Sequence, residues 1–262
     1  MADLQELRQR WIRRFHPAPD SDVTMVCFPH AGGSASYFQA LSARLTPHVE
    51  VLALQYPGRQ DRRSEPALTS VDALVDGIEE VLRGQDGRPM VFFGHSMGGT
   101  LAFETARRME AELGERLLGL VVSGRRSPGG AARQGTVHLL DDAGLLAETR
   151  KLQGTSSTLL DDEDVVRMIM PVLRADYTAV ERYAYRPGPV LSCPLHVYTG
   201  DADPRIGGDE VRGWAEHTRA DFRIRTFSGG HFYLGERGEQ VAAALREDLT
   251  IFQERVRTGA DR

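Results

Sequence analysis

The chain has 262 residues, 41% apolar and 26% charged, with a net charge of −5. This is the composition of a soluble globular protein large enough for one full α/β core, burying roughly three quarters of its unfolded surface. It excludes a disordered chain, and it offers no global basic field to draw nucleic acid or an anionic membrane.

Residues Met1 to Arg14 are polar and charged, so they do not read as a secretory signal. Leu4, Leu7, Trp11 and Phe15 recur at helical spacing and predict a short amphipathic helix. Strand candidates then alternate with helices. Val23 to Phe28 is a buried strand, and Ser34 to Leu45 a helix with Ser34 as its cap. Val49 to Leu54 is a strand and Ser70 to Leu82 a helix. Met90 to Phe93 is a strand, Met97 to Leu113 a helix and Leu117 to Val122 a strand. Towards the C-terminus, Leu195 to Tyr198 and Phe222 to Phe227 are strands, with helices over Gly208 to His217 and Gly238 to Val256. Uninterrupted apolar strands separated by helices predict a mostly parallel sheet covered on both faces, joined by right-handed crossovers.

Between Arg125 and Pro189 the rhythm breaks. Asp141 to Lys151 and Asp161 to Tyr183 read as helices, and the acids Asp141, Asp142, Asp161, Asp162, Glu163 and Asp164 suit helix N-termini. A helical insertion is expected there, bounded by Ser127-Pro128-Gly129-Gly130 and Pro187-Gly188-Pro189, inside a single domain spanning 1–262. Such an insertion acts as a lid or a substrate-chamber wall, or only as packing. Cys27 and Cys193 both lie in or beside apolar runs and read as reduced, buried small hydrophobes. No stretch approaches the ~20 apolar residues that span a bilayer. A cytoplasmic, monomeric protein is expected.

Gly94-His95-Ser96-Met97-Gly98 follows one strand candidate and opens a helix. This is the nucleophile elbow of an α/β-hydrolase, a sharp turn that lifts the serine hydroxyl above the sheet. A free hydroxyl is a weak nucleophile and needs a base. In this fold the acid and then the histidine follow the serine in the chain. Thr199 to Pro204 is the turn after a strand and offers two aspartates. Asp203, fixed by Pro204, is preferred over Asp201, which suits the turn itself. His231, in the glycine-rich loop after the last strand, is the candidate base. His95 packs. His16 and His48 lie outside any catalytic loop, while His138, His196 and His217 pack or face solvent. For the oxyanion, one backbone donor is expected from Met97. A second comes from Ala31, or alternatively Gly32, in the loop Phe28-Pro29-His30-Ala31-Gly32-Gly33. No phosphate-cradle or metal-ligand spacing occurs, so neither cofactor nor metal is expected.

Four motifs together carry a resemblance: Phe28-Pro29-His30-Ala31-Gly32-Gly33, Gln55-Tyr56-Pro57-Gly58-Arg59, Gly94-His95-Ser96-Met97-Gly98 and Gly229-Gly230-His231-Phe232. Over nearly the whole chain the sequence resembles the discrete type II thioesterases of polyketide synthases and nonribosomal peptide synthetases. The resemblance implies hydrolysis of acyl groups from the phosphopantetheine arm of acyl or peptidyl carrier proteins, for editing or release. Ser96, Asp203 and His231 would form the triad. The phosphopantetheine belongs to the substrate, so no cofactor is implied. The insertion matches the family's lid, with Tyr177, Met168 and Met170 as candidate pocket residues. The basic runs Arg59 to Arg63 and Arg125-Arg126 would steer docking of acidic carriers. The same triad also serves a carboxylesterase on oxygen esters, or acyl transfer and cyclisation. The absence of an upstream linker favours the free-standing hydrolase. A non-enzymatic binder of this fold would lack a catalytic group.

Overall fold

The computed structural model describes residues 2–83, 85, 87–129, 135–153 and 162–258. Its elements run in chain order. They are α1 (Ala2–Trp11), β1 (Ile12–Arg13), β2 (Thr24–Phe28), α2 (Gln39–Leu45), β3 (Glu50–Leu54), α3 (Val71–Leu82) and β4 (Met90–His95). There follow α4 (Met97–Leu113), β5 (Leu117–Ser123), α5 (Asp142–Gln153), α6 (Glu163–Glu181), β6 (Leu195–Gly200), α7 (Gly208–Arg212), β7 (Phe222–Phe227), α8 (Tyr233–Glu236) and α9 (Gly238–Thr258).

The strands form one sheet in the order β1-β3-β2-β4-β5-β6-β7. Every neighbouring pair is parallel except β1 with β3, which is antiparallel. The fold is therefore the mostly parallel α/β sheet expected. Strand alternation explains its two-sided cover. In β2, Val26 and Phe28 join the core on one face, while Met25 and Cys27 join the other. The first core includes Phe92, Leu101 and Leu120; the second includes Phe38, Phe93 and Phe252. Both faces are apolar, so the strands read as continuous hydrophobic runs. The two cysteines are free and buried, and burial pushes each thiol well above its ordinary range.

Several local expectations change. Strand β1 was not predicted: two residues of an antiparallel edge leave no periodicity to read. Helix α1 stops at Trp11, which packs in the first core, while Phe15 packs against the second. Ser34 does not cap a helix with its side chain. Ala35–Phe38 is a 3₁₀ turn leading into α2, and Ser34 Oγ meets Ser36 Oγ instead. Gly213–His217 is likewise a 3₁₀ turn continuing α7. Ser70 does cap α3, accepting from Ala73 N–H at 3.2 Å. Strand β7 is only half covered, as befits a sheet edge.

Between β5 and β6 the described residues hold helices α5 and α6 and no named strand. Asp162 caps α6, accepting from Asp164 N–H at 2.9 Å and Val165 N–H at 3.2 Å. Asp161 and Gly130, named above at a helix start and a segment boundary, lie outside the described residues. Leu145 on α5 and Met170, Leu173 and Tyr177 on α6 make a small apolar cluster of their own.

Candidate active site

Strand β4 ends at His95 and α4 begins at Met97, so Ser96 alone makes the bend. Its backbone sits at φ 55°, ψ −116°, a conformation costing about 1–3 kcal/mol for a residue with a Cβ. The flanking glycines permit it sterically. A Cβ on Gly94 would lie 2.1 Å from Gly98 O, and one on Gly98 would lie 1.9 Å from Phe28 O. Ser96 N–H donates to Ser123 O at 2.8 Å, which ties the bend to the end of β5.

Two distant loops meet this serine. His231 Nε2 lies 2.9 Å from Ser96 Oγ. His231 Nδ1 lies 2.7 Å from Asp203 Oδ2. Asp203 also accepts from Arg205 N–H at 2.9 Å, which fixes its carboxylate after β6. Asp201, the alternative acid, faces away and accepts from Gly229 N–H at 2.9 Å, bracing the histidine loop. The imidazole is buried and walled by rings. Phe232 stands 5.0 Å from it edge-on and His95 stands 5.2 Å from it. Behind, His95 Nδ1 meets Ser123 Oγ at 2.9 Å, and Ser123 Oγ meets Tyr233 O–H at 2.6 Å. Burial drives the His95 pKa well below its ordinary value, so this packed ring is neutral. The other histidines are used elsewhere. His138 meets Glu181 at 2.6 Å, His217 meets Pro128 O at 3.1 Å, and His196 lies 3.3 Å from Asp221. None of these three is simply solvent-facing.

The loop after β2 runs over the serine. Ala31 and Met97 line a narrow cavity of about 50 Å³ with Ser96 and His231. The two candidate donors in the loop are separated by their partners. Gly32 N–H donates to Asp176 Oδ2 at 2.7 Å, so it is already occupied. No acceptor among the described residues is assigned to Ala31 N–H. His30 stiffens the loop: its ring meets Ala31 O at 2.9 Å and packs edge-on against Tyr37 and Phe232. Burial lowers the His30 pKa to about 4.

Asp176 was not singled out from the sequence. It lies on α6, 1% exposed, and bridges Gly32 to the Arg59 guanidinium, which is itself 6% exposed. Burial raises its carboxyl above the ordinary range, against the opposing pull of Arg59 and Gly32 N–H. Arg59 also lies 5.1 Å over the Tyr56 ring. This corrects the reading of Arg59 to Arg63 as a docking island. Arg62 is buried too; it binds Glu65, donates to Gln55 O at 2.7 Å and stacks 4.6 Å over Trp11. Arg59 is made internal by Asp176, 117 residues away, and Arg62, paired locally with Glu65, by lying over the distant Trp11.

A second, wider cavity of about 640 Å³ also opens on Ser96 and His231. Its walls combine the core's Phe103 and Trp214 with Tyr177 and Glu181 of α6 and with Arg125. Tyr177 thus lines both spaces, as expected. Met168 and Met170 line neither. Met168 points outward, 60% exposed, and Met170 packs in the cluster between α5 and α6. Met168 lies on the opposite face of α6 from Tyr177, whereas Met170 shares that face two turns nearer the helix start, in the cluster with Leu145. No cluster of three or more histidine, cysteine or acidic side chains able to hold a metal is found among the described residues.

Residues 23–249 match the thioesterase domain family. The chain belongs to the thioesterase family. It is a thioester hydrolase. Thioesterase PikA5 of Streptomyces venezuelae is 49% identical over 243 residues, covering 92% of this chain and 86% of that protein. The gramicidin S biosynthesis protein GrsT of Aneurinibacillus migulanus is 31% identical, covering 92% of this chain and 94% of that protein. Among solved structures, the type II thioesterase BorB from the borrelidin biosynthetic cluster superposes with a TM-score of 0.85 at 48% identity. It covers 90% of this chain and 96% of that one. No helix among the described residues of this thioesterase is long and apolar enough to cross a membrane.

Proposed function

We propose that this chain is a type II thioesterase serving a polyketide synthase or a nonribosomal peptide synthetase. It would hydrolyse acyl groups held on the phosphopantetheine arm of an acyl or peptidyl carrier protein. The relatives PikA5, BorB and GrsT, and the pathways that the latter two names carry, support this reading. The observation that carries the mechanism is the hydrogen-bonded run from Asp203 through His231 to Ser96, at 2.7 and 2.9 Å.

In this mechanism His231 Nε2 takes the proton as Ser96 Oγ attacks the thioester carbonyl. Asp203 holds Nδ1 protonated and stabilises the imidazolium. The N–H groups of Ala31 and Met97 receive the developing oxyanion. The thiolate departs with the proton from His231, leaving an acyl ester on Ser96. Water, deprotonated by His231, then releases the acid. A thiolate leaves readily, so oxyanion stabilisation matters more here than leaving-group protonation. Residues 1–262 would make up one domain. Residues 125–189, carrying α5 and α6, form its lid over the two cavities. No cofactor is required of the protein.

Carrier proteins loaded with a panel of acyl groups test this against p-nitrophenyl esters. The expected result is rapid release from the carriers. Ser96→Ala should lower it about 10³- to 10⁶-fold. A large preference for the oxygen esters would replace the substrate class with a carboxylesterase's.

A further inference from the structure

His95 and Ser123 are register partners at the ends of β4 and β5. Strand alternation puts their side chains on the face that Phe93 and Val121 cover, in the second core. Tyr233, the first residue of α8, packs in the same core, its ring stacked 5.1 Å from Phe227. All three residues are at most 1% exposed. Their polar atoms meet at one point. Ser123 Oγ lies 2.9 Å from His95 Nδ1 and 2.6 Å from Tyr233 Oη. Among the described residues neither of these two atoms has another hydrogen-bond partner. A hydroxyl donates once and also accepts, so Ser123 serves both.

Ser123 thereby holds both halves of the reacting pair. Its carbonyl accepts from Ser96 N–H at 2.8 Å. Its hydroxyl holds the residue before Ser96 and the second residue after His231. The histidine loop has its other anchor at Asp201, which accepts from Gly229 N–H at 2.9 Å. His231 stands between these anchors, one on the β6 side and one on the β5 side. Apolar packing around Tyr233 is non-directional, whereas a hydrogen bond fixes a distance and an angle. Three apolar side chains of the same shape would fill this space about as favourably, so packing alone does not call for the polar trio. Nor does contact with the acyl group, since Ser123 lines neither cavity that opens on Ser96.

We propose that the Ser123 hydroxyl is a positioning group for hydrolysis. Through His95 and Tyr233 it sets the separation of Ser96 Oγ from His231 Nε2, and it touches neither substrate nor reacting atoms. This rests on the reading of Ser96 as nucleophile and His231 as base.

The test compares Ser123→Thr with Ser123→Val, which share a shape and differ in the hydroxyl. Steady-state hydrolysis of one N-acetylcysteamine thioester, well below each variant's melting temperature, resolves kcat from KM. Ser123→Val should lower kcat about 10- to 100-fold, the scale of a small misplacement of reacting groups, with KM within about twofold of wild type. Ser123→Thr should recover most of the loss. In proton NMR the downfield N–H signal between His231 and Asp203 should move or broaden in Ser123→Val and match wild type in Ser123→Thr. Should both variants fail to fold, Tyr233→Phe decides, since it removes a single oxygen; it should lower kcat and leave KM. The proposal is overturned if the valine and threonine variants share one kcat, if the loss falls in KM, or if Tyr233→Phe keeps the wild-type kcat. Wild-type turnover by Ser96→Ala or His231→Ala would instead overturn the reading on which it rests.

Discussion

Asp176→Asn perturbs a buried polar link between α6 and the loop over Ser96. Asparagine keeps the volume, but its neutral amide oxygen accepts more weakly from Gly32 N–H and from Arg59 than the carboxylate Oδ2 they share. It cannot neutralise Arg59, whose side chain also donates to the Pro57 carbonyl at 3.3 Å. Breaking a buried ion pair from one side typically costs about 3–5 kcal/mol. A domain's whole stability is about 5–15 kcal/mol. The expected loss is therefore about 3 kcal/mol, the lower end of the ion-pair cost, since the amide oxygen still accepts from both groups. Activity should fall as well, because Gly32 follows Ala31 directly and its anchoring sets where the Ala31 N–H points. Losing one oxyanion donor costs about 10²- to 10³-fold in kcat. Urea unfolding and steady-state hydrolysis of one acyl thioester, with kcat and KM resolved, measure both effects. The double variant Arg59→Met, Asp176→Leu removes the two charges together. It should regain much of the stability but not the kcat, since Gly32 N–H then has no acceptor. The reasoning is refuted if Asp176→Asn stays within about 1 kcal/mol of wild type with kcat unchanged. Recovery of kcat by the double variant would refute the positioning argument alone.

Three further outcomes are expected. The His30 pKa is about 4 when folded against 6.5 for the free side chain, so the unfolded chain takes up its proton first. Stability is therefore lost as pH falls from 6.5 towards 4, and His30→Gln should flatten that stretch of the melting temperature against pH curve. Arg62→Glu places an anion beside Glu65 and under Trp11. It should lower stability by several kcal/mol in denaturant unfolding, whereas Arg63→Glu on the exposed side should change it by less than about 0.5 kcal/mol. Asp203→Asn should lower kcat about 10⁴-fold in the same thioester assay, by favouring the wrong imidazole tautomer. Asp201→Asn should cost far less, and the reverse order would exchange the two roles.

The site was legible where chemistry imposes a local pattern. The elbow declares itself because only glycine fits at 94 and 98, where a side chain would strike backbone oxygen. His231 and Asp203 were readable because each follows a strand whose apolar run marks the carboxyl edge of the sheet. What escaped is what distant residues decide. Arg59 and Arg62 carry charge and read as surface until Asp176 and Trp11 close over them. What distinguishes Gly32 from Ala31 is a partner 144 residues away. Met168 failed as a pocket residue because the sequence of α6 does not say which face meets the cavity, and Met170, on the face of Tyr177, because it does not say how far along that face the cavity reaches. The two-residue strand β1 is fixed by pairing with β3 rather than by its own composition.

The central claim is that Ser96 Oγ receives the acyl group. Rapid mixing with an acyl-loaded carrier protein, acid quenching and peptide mass analysis measure this directly. A transient mass increase of one acyl group is expected on the peptide holding Ser96. It should be absent in Ser96→Ala and should accumulate when His231 is replaced by alanine and the enzyme is given an activated thioester. Acylation of a different residue, or full turnover by Ser96→Ala with no acylated peptide, would contradict it.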